Sequence, residues 1–210
     1  MADIRTCDQC GTSFTPRREH ARFCSARCRA RWNRRYAGGA PPDTSALDWS
    51  VTAMRETIGR LCRAGGWDRA DGFAVISEAV WRVTIVDAAL VRYHPETYSR
   101  ALARQDAGQR RIVEDTFAGL RFVRNRMGYD AHPADLVQPL DSGAGIAAWT
   151  WKPVPEPALG ALTPRGRAWE LTRYQAYQAQ LAGRTVGEIF TQAAAFLDMA
   201  DDVILSRTYP

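Results

Sequence analysis

The chain is poor in lysine: of its 28 basic residues only Lys152 is not arginine. Coding preference alone can replace lysine by arginine throughout a protein, so arginine abundance by itself is weak evidence of binding. The sequence also lacks any run of about eighteen apolar residues, the length a helix needs to cross a bilayer, and no membrane span is expected. Its first ten residues, MADIRTCDQC, have neither an apolar stretch nor a small-residue cleavage pattern, so the expected location is the cytoplasm. No internal repeat is visible. With 210 residues, 46% hydrophobic and 24% charged, composition excludes a fibre, a mucin-like stalk and a disordered tail. It leaves room for one packed domain and a small appendage.

Charge is unevenly spread. Residues 1–36 hold nine arginines against Asp3, Asp8 and Glu19, a local +6, whereas residues 37–210 carry nineteen basic and twenty acidic side chains, a balance of −1. The whole basic excess therefore sits in the first sixth of the chain. Four of the five cysteines lie there too, as Cys7-x2-Cys10 and Cys24-x3-Cys28 with thirteen residues between the pairs. Two such pairs can converge on one tetrahedral ion from a knuckle and a helix start, with sulfurs about 2.3 Å from zinc. A segment of about 36 residues cannot bury a self-sufficient core, so its folding is expected to depend on the metal. Four thiolates close the coordination shell, which makes the expected Zn2+ structural. His20 stands nearby as a substitute ligand, and two disulfides in a secreted module are the alternative.

The stretch CDQCGTSFTPRREHARFCSARCRARWNRR resembles the treble-clef zinc fingers whose second pair reads Phe-Cys-Ser-x-x-Cys and opens a helix. The resemblance runs from Cys7 to about Arg35, with Gly11 after the knuckle, Phe14 and Phe23 as a small core, and Ser25 as the helix N-cap. It implies metal binding by Cys7, Cys10, Cys24 and Cys28; such fingers bind nucleic acid in some proteins and other proteins elsewhere. On a helix opening at Cys24, Arg27, Arg31, Arg34 and Arg35 share one face by i, i+4 and i+7 spacing, with Trp32 among them. Guanidinium groups hold phosphates and an indole stacks on a base, so nucleic acid, RNA or DNA, is the expected partner. The alternative is a solvated cationic helix end with Trp32 packed on the protein.

Gly38, Gly39, Pro41 and Pro42 break any helix, and residues 37–46 read as a linker. The remainder, 47–210, reads as an α-helical bundle, which makes the fold class mainly α: a small treble-clef finger followed by a bundle. Helical patterns run over 46–64, 68–93, 96–128 with a bend near Gly108, 165–182 and 184–207. Between them, residues 131–164 hold six prolines, Trp149 and Trp151, an ordered insert with a short strand near WTWKP. In the last helix Val186, Ile189, Phe190, Ala193, Phe196, Leu197, Ala200, Val203 and Ile204 form one apolar stripe, with Asp198, Asp201 and Asp202 mainly outside it.

Two charged residues stand on such stripes. Asp87 fills a slot of the series Phe73, Ile76, Val80, Val83 and Leu90, and Arg124 lies between Leu120 and Met127 of the series Val113, Phe117, Leu120 and Met127. Buried charges need partners, so Asp87 and Arg124 are expected to meet between packed helices, as a register-holding pair or as the floor of a polar pocket.

Arg124, Asn125 and Arg126, followed by His132, resemble the Arg, four to six residues, His motif of HEPN ribonucleases, which are helical bundles. The resemblance covers residues 46–207 and implies a homodimer with a composite, metal-independent site. There His132 would handle protons, Arg124 or Arg126 would stabilise the charged phosphate, and Asn125 would assist. Five residues separate Arg126 from His132, whereas Arg124 has Asp130 at that distance and is seven residues short of His132. Three functions follow as expectations: a zinc-finger nucleic-acid-binding protein with a helical, dimerising body, a HEPN-like endoribonuclease, and a zinc-finger protein-interaction adaptor. Elsewhere, His94 beside Pro95 reads as a helix cap, Cys62 as a buried core thiol, and Trp149 with Trp151 as packing residues.

Overall fold

The computed structural model describes residues 4–7, 9–16, 21–36, 44–63, 69–129, 133–139, 148–160 and 162–208. At 32–36, 44–46, 69, 129, 133–134 and 202–208 the description is of the backbone alone. The chain divides into two compact units, Met1–Thr44 and Ser45–Pro210.

In the first unit, β1 (Arg5–Thr6) and β2 (Ser13–Phe14) pair antiparallel with Arg5 opposite Phe14 and Thr6 opposite Ser13. Helix α1 (Ala26–Tyr36) follows.

The second unit is helical, built from α2 (Thr44–Cys62), α3 (Arg69–Tyr93), α4 (Pro95–Ala103), α5 (Ala107–Tyr129), the short α6 (Pro133–Leu136), α7 (Pro164–Gln180) and α8 (Val186–Thr208). The helical pattern expected over 96–128 is divided, because Asp106 starts a new helix by accepting the Gln109 N–H at 2.9 Å. Capping likewise sets the ends of the last two helices. Thr163 accepts from the Gly166 N–H, with Pro164 in the first turn of α7. Gly183, at φ +79°, turns the chain after α7. Thr185 and Glu188 then form a reciprocal box: Thr185 Oγ1 accepts from the Glu188 N–H, and Glu188 accepts from the Thr185 N–H at 3.1 Å. These hydrogen bonds also hold the Glu188 carboxyl below its ordinary pKa.

Helix α5 is the centre of the packing, lying along α7 and against α3 and α8, while α4 packs on α8 and α3. Gly119 permits the close approach of α5 and α7, since a Cβ there would stand 2.7 Å from Leu181 Cδ1 and 3.1 Å from the Tyr177 Cα. Val113, Phe117 and Leu120 of α5 join Ile76, Val80, Val83 and Leu90 of α3 and Ile189, Phe190, Phe196 and Leu197 of α8 in one core. Burying each such side chain contributes roughly 1.5–3 kcal/mol. Leu47, Val51, Met54, Ile58 and Leu61 bring the inner face of α2 into the same core.

The insert expected around WTWKP contains β3 (Val137–Gln138) and β4 (Thr150–Trp151), paired antiparallel with Val137 opposite Trp151. Both tryptophans are packed inside: Trp149 lies edge-on to Phe73, and Trp151 packs against Tyr177 and Phe190. The Trp151 N–H donates to Arg184 O, Gly183 N–H to Trp151 O and Val186 N–H to Trp149 O, which fastens this strand to the α7–α8 turn.

Three expectations are corrected. Asp201 is buried on α8, with Arg55 of α2 at 3.7 Å; Asp198, outside the stripe, also pairs with Arg55, at 2.8 Å. A cation from the neighbouring helix lets an acid sit at the stripe's edge. Cys62 is exposed, because it ends α2 one residue beyond the buried Leu61. His94 occupies the N-cap position of α4 without making a side-chain cap; its carbonyl accepts from Tyr98 N–H, and burial lowers the imidazole pKa.

Candidate metal centre and polar sites of the body

A tight turn between β1 and β2 presents the first cysteine pair. The Cys7 N–H donates to Thr12 O and the Gly11 N–H to Cys7 O, both at 2.9 Å, and Gly11 takes φ +71°, a left-handed conformation suited to a residue without Cβ. The second pair comes from the start of α1. Ser25 Oγ accepts from the Cys28 N–H at 3.1 Å, the N-cap contact, which puts Cys24 just before the helix and Cys28 in its first turn.

The four sulfurs lie within 4.8 Å of one another. Cys10 and Cys24 are 3.7 Å apart, and Cys24 and Cys28 3.5 Å. Sulfurs at the corners of a tetrahedron with bonds of about 2.3 Å are separated by about 3.8 Å, so the spacing fits one tetrahedral ion. The four cysteines are positioned to hold a single metal.

Their protonation is uneven. Burial raises the Cys7 pKa, but hydrogen bonds from the backbones of Cys24, Gln9 and Cys10 outweigh it and bring it down to about 6. The Thr12 side chain and backbone lower that of Cys10. Cys24, whose proton is shared towards Cys28 and Cys10, is raised to about 12. A cation replaces that sharing with direct bonds to deprotonated sulfur.

On either side of Cys28, Arg27, Arg29 and Arg31 are exposed on α1, a helix whose sequence, ARCRARWNRRY, contains no acid. The side chains of Trp32, Arg34 and Arg35 lie outside the described residues.

In the body, Asp87 is fully buried, and its ion partner is Arg121, not the expected Arg124. Tyr98 of α4 donates a second hydrogen bond to Asp87 at 2.7 Å. Arg121 falls four residues after Phe117, in phase with the same stripe, and its guanidinium reaches the carboxylate directly. Arg124, three residues on, acts on Asp87 only as a more distant charge, and its guanidinium lies over the Trp81 ring at 5.7 Å. Burial raises the Asp87 pKa despite the lowering effects of Arg121, Tyr98 and Arg124; burial and the Asp87 charge raise that of Tyr98.

Of the HEPN-like residues, Arg124, Asn125 and Arg126 are half-buried on the last turns of α5. The Asn125 side-chain amide donates to Glu170 of α7 at 3.1 Å. His132 and Asp130 lie outside the described residues.

Residues that sequence reasoning missed are Arg121 and Tyr98 around Asp87, and the exposed Trp81 and Trp169. Phase was the available signal for Arg121, four residues after Phe117, and for Trp81, which falls one residue off the buried Phe73–Leu90 stripe; no such stripe was read around Trp169. Among the described residues no helix is long and apolar enough to cross a membrane. In comparisons with known proteins, no family model, no curated protein and no solved structure matches the chain.

Proposed function

We propose that residues 1–36 form a treble-clef finger held by one structural Zn2+, and that α1 docks this finger on the phosphates of nucleic acid. The observation that carries the reading is the junction of metal site and arginine helix: the sulfurs of Cys7, Cys10, Cys24 and Cys28 converge within 4.8 Å where α1 begins, and Arg27, Arg29 and Arg31 project from that helix into solvent. An all-thiolate tetrahedral set suits zinc among abundant cellular metals. Zinc bound there supplies folding energy and no chemistry on a substrate. Fixing the start of α1 orders the backbone beneath the arginines, so that several guanidiniums meet a phosphate chain together. By helical spacing alone, Arg34 and Arg35 share a face with Arg27 and Arg31, with Trp32 among them, and belong to the nucleic-acid site in this reading.

The test is fluorescence anisotropy of the zinc-loaded full chain with labelled duplex and single-stranded oligonucleotides over a salt series. Binding is expected to weaken steeply with salt, with a slope of about −0.9 per phosphate neutralised on duplex. Replacing Arg27, Arg29 and Arg31 together by Gln should flatten the slope by about two to three phosphates. Binding that is insensitive to salt, or unaffected by the triple replacement, would refute the reading. Capture of a protein in nuclease-treated extract, with no oligonucleotide binding, would instead favour the adaptor. Cleavage of the RNA probe in EDTA, abolished by His132→Ala and leaving cyclic phosphate ends, would replace a binding-only function by a ribonuclease.

A further inference from the structure

We propose that the solvent face shared by α3, α5 and α7 binds single-stranded nucleic acid by stacking bases on Trp81 and Trp169. Exposed tryptophans are not unusual in themselves, and Trp49 is 73% exposed; what sets Trp81 and Trp169 apart is the arginines over their rings. Trp81 is 46% exposed and Trp169 56%, and arginine guanidiniums cover both rings. Arg124 lies over Trp81 at 5.7 Å, while Arg165 and Arg173 lie 5.0 and 6.0 Å from the centre of the Trp169 ring.

Two sets of contacts, linked through the α5 backbone between Arg124 and Asn125, lie between the two rings. Trp81 touches Arg124; the next residue, Asn125, bonds Glu170; Glu170 pairs with Arg173; and Arg173 reaches Trp169. Helix α5 packs on both α3 and α7; at interaxial spacings of about 8–10 Å each, the span is at most about 20 Å, which three or four extended nucleotides can cover.

Charge selects the occupant. Among the residues of these contacts, Arg121, Arg124, Arg165 and Arg173 stand with two acids, Asp87 and Glu170. The acids lie underneath: the Asp87 side chain is 0% exposed and that of Glu170 13%, whereas those of Arg121 and Arg173 are 29% and 25% exposed. The outer layer is thus cationic and aromatic, as a base-stacking, phosphate-contacting groove requires. An exposed cation–π contact is weaker than a base–indole stack, so an incoming base can displace a guanidinium from the ring and leave it beside a phosphate. This inference uses none of the residues of α1.

The experiment measures binding of the zinc-loaded full chain to a labelled twelve-nucleotide oligothymidylate and to a duplex of the same length. Trp81→Leu and Trp169→Leu should each weaken single-strand binding about tenfold and leave duplex binding unchanged. Arg165→Gln, at an exposed side chain that lies over the Trp169 ring, should reduce the single-strand salt slope by about 0.7. The triple arginine replacement on α1 weakens duplex binding as well, so failure of the finger reading and failure of this one are told apart. Wild-type affinity for the single strand in both tryptophan variants overturns the proposal. So does an effect of these variants on sedimentation mass alone, which would assign the patch to a second copy of the chain.

Discussion

Replacing Arg121 by Met tests the buried charge cluster quantitatively. The variant leaves the Asp87 carboxylate, 0% exposed, with the Tyr98 hydroxyl as its remaining neutral donor and Arg124 as a more distant charge. Removing one partner of a fully buried pair costs about 3–5 kcal/mol, and the 29% exposure of Arg121 puts this case at the lower end. Protonation sets a ceiling, because the carboxyl can take up a proton instead of staying charged. Relative to an unfolded aspartate of pKa about 3.9, that ceiling is about 4 kcal/mol at pH 7 and about 1.5 kcal/mol at pH 5.

Burial already raises the Asp87 pKa in the native chain, so part of the ceiling is used. A raised carboxyl pKa means that the folded state holds its proton more tightly. Its contribution to stability is therefore complete below the unfolded pKa and is lost as pH rises through the folded one. Arg121→Met moves the folded value further up and widens that window. The expected loss is about 2–3 kcal/mol at pH 7, under about 1.5 kcal/mol at pH 5 and near zero at pH 3. Urea unfolding followed by tryptophan fluorescence reads it, since the buried Trp149 and Trp151 belong to the helical unit. Adding Asp87→Asn should restore most of the loss, because an amide can still accept from Tyr98. Equal losses at pH 5 and pH 7, or no recovery in the double variant, would refute the reasoning.

In the zinc-loaded native chain a thiol reagent should modify one cysteine, the exposed Cys62, and all five once a chelator and denaturant are added. Metal uptake at pH 7 should release at least one proton, since the Cys24 thiol is raised to about 12, and affinity should fall as pH drops through about 6, where Cys7 also becomes protonated. A pH-independent affinity measured by competition with a chromophoric chelator would contradict this. Gly119→Val should destabilise the helical unit by about 1–3 kcal/mol in thermal or urea unfolding, because its side chain meets Leu181 and the Tyr177 backbone. An unchanged midpoint would mean that α5 and α7 separate freely.

The last helix was legible because its apolar residues, from Val186 to Ala200, recur at helical spacing. The caps that set the starts of α7 and α8, Thr163 with Pro164 and Thr185 with Glu188, are contacts three residues long that the pattern alone did not mark. The cysteine pairs were legible for a related reason: ligand chemistry fixes their spacing. Burial of Asp87 followed from helical phase, but its partner did not, since a guanidinium reaches about one turn along a neighbouring helix and phase admits both Arg121 and Arg124. Exposure at Cys62 and burial of Asp201 depend on where one helix stops and which cation a second helix supplies. The tryptophans show the limit best. Trp149 and Trp151 are buried while Trp81 and Trp169 face solvent, a difference set by which helices lie alongside.

The segment after β4 has consequences for self-association. Prolines at 153, 155 and 157 remove the N–H of every second residue, and each biases the residue before it towards an extended backbone. In such a stretch alternate N–H groups point the same way, so one side offers no donor to a passing strand. Side chains of α7 occupy carbonyls of the same segment: Tyr177 donates to Lys152 O, and Tyr174 and Gln178 donate to Val154 O. Held by side chains and stripped of donors, this segment is a poor template for another chain to add a strand, a safeguard against edge-to-edge aggregation built into the primary structure.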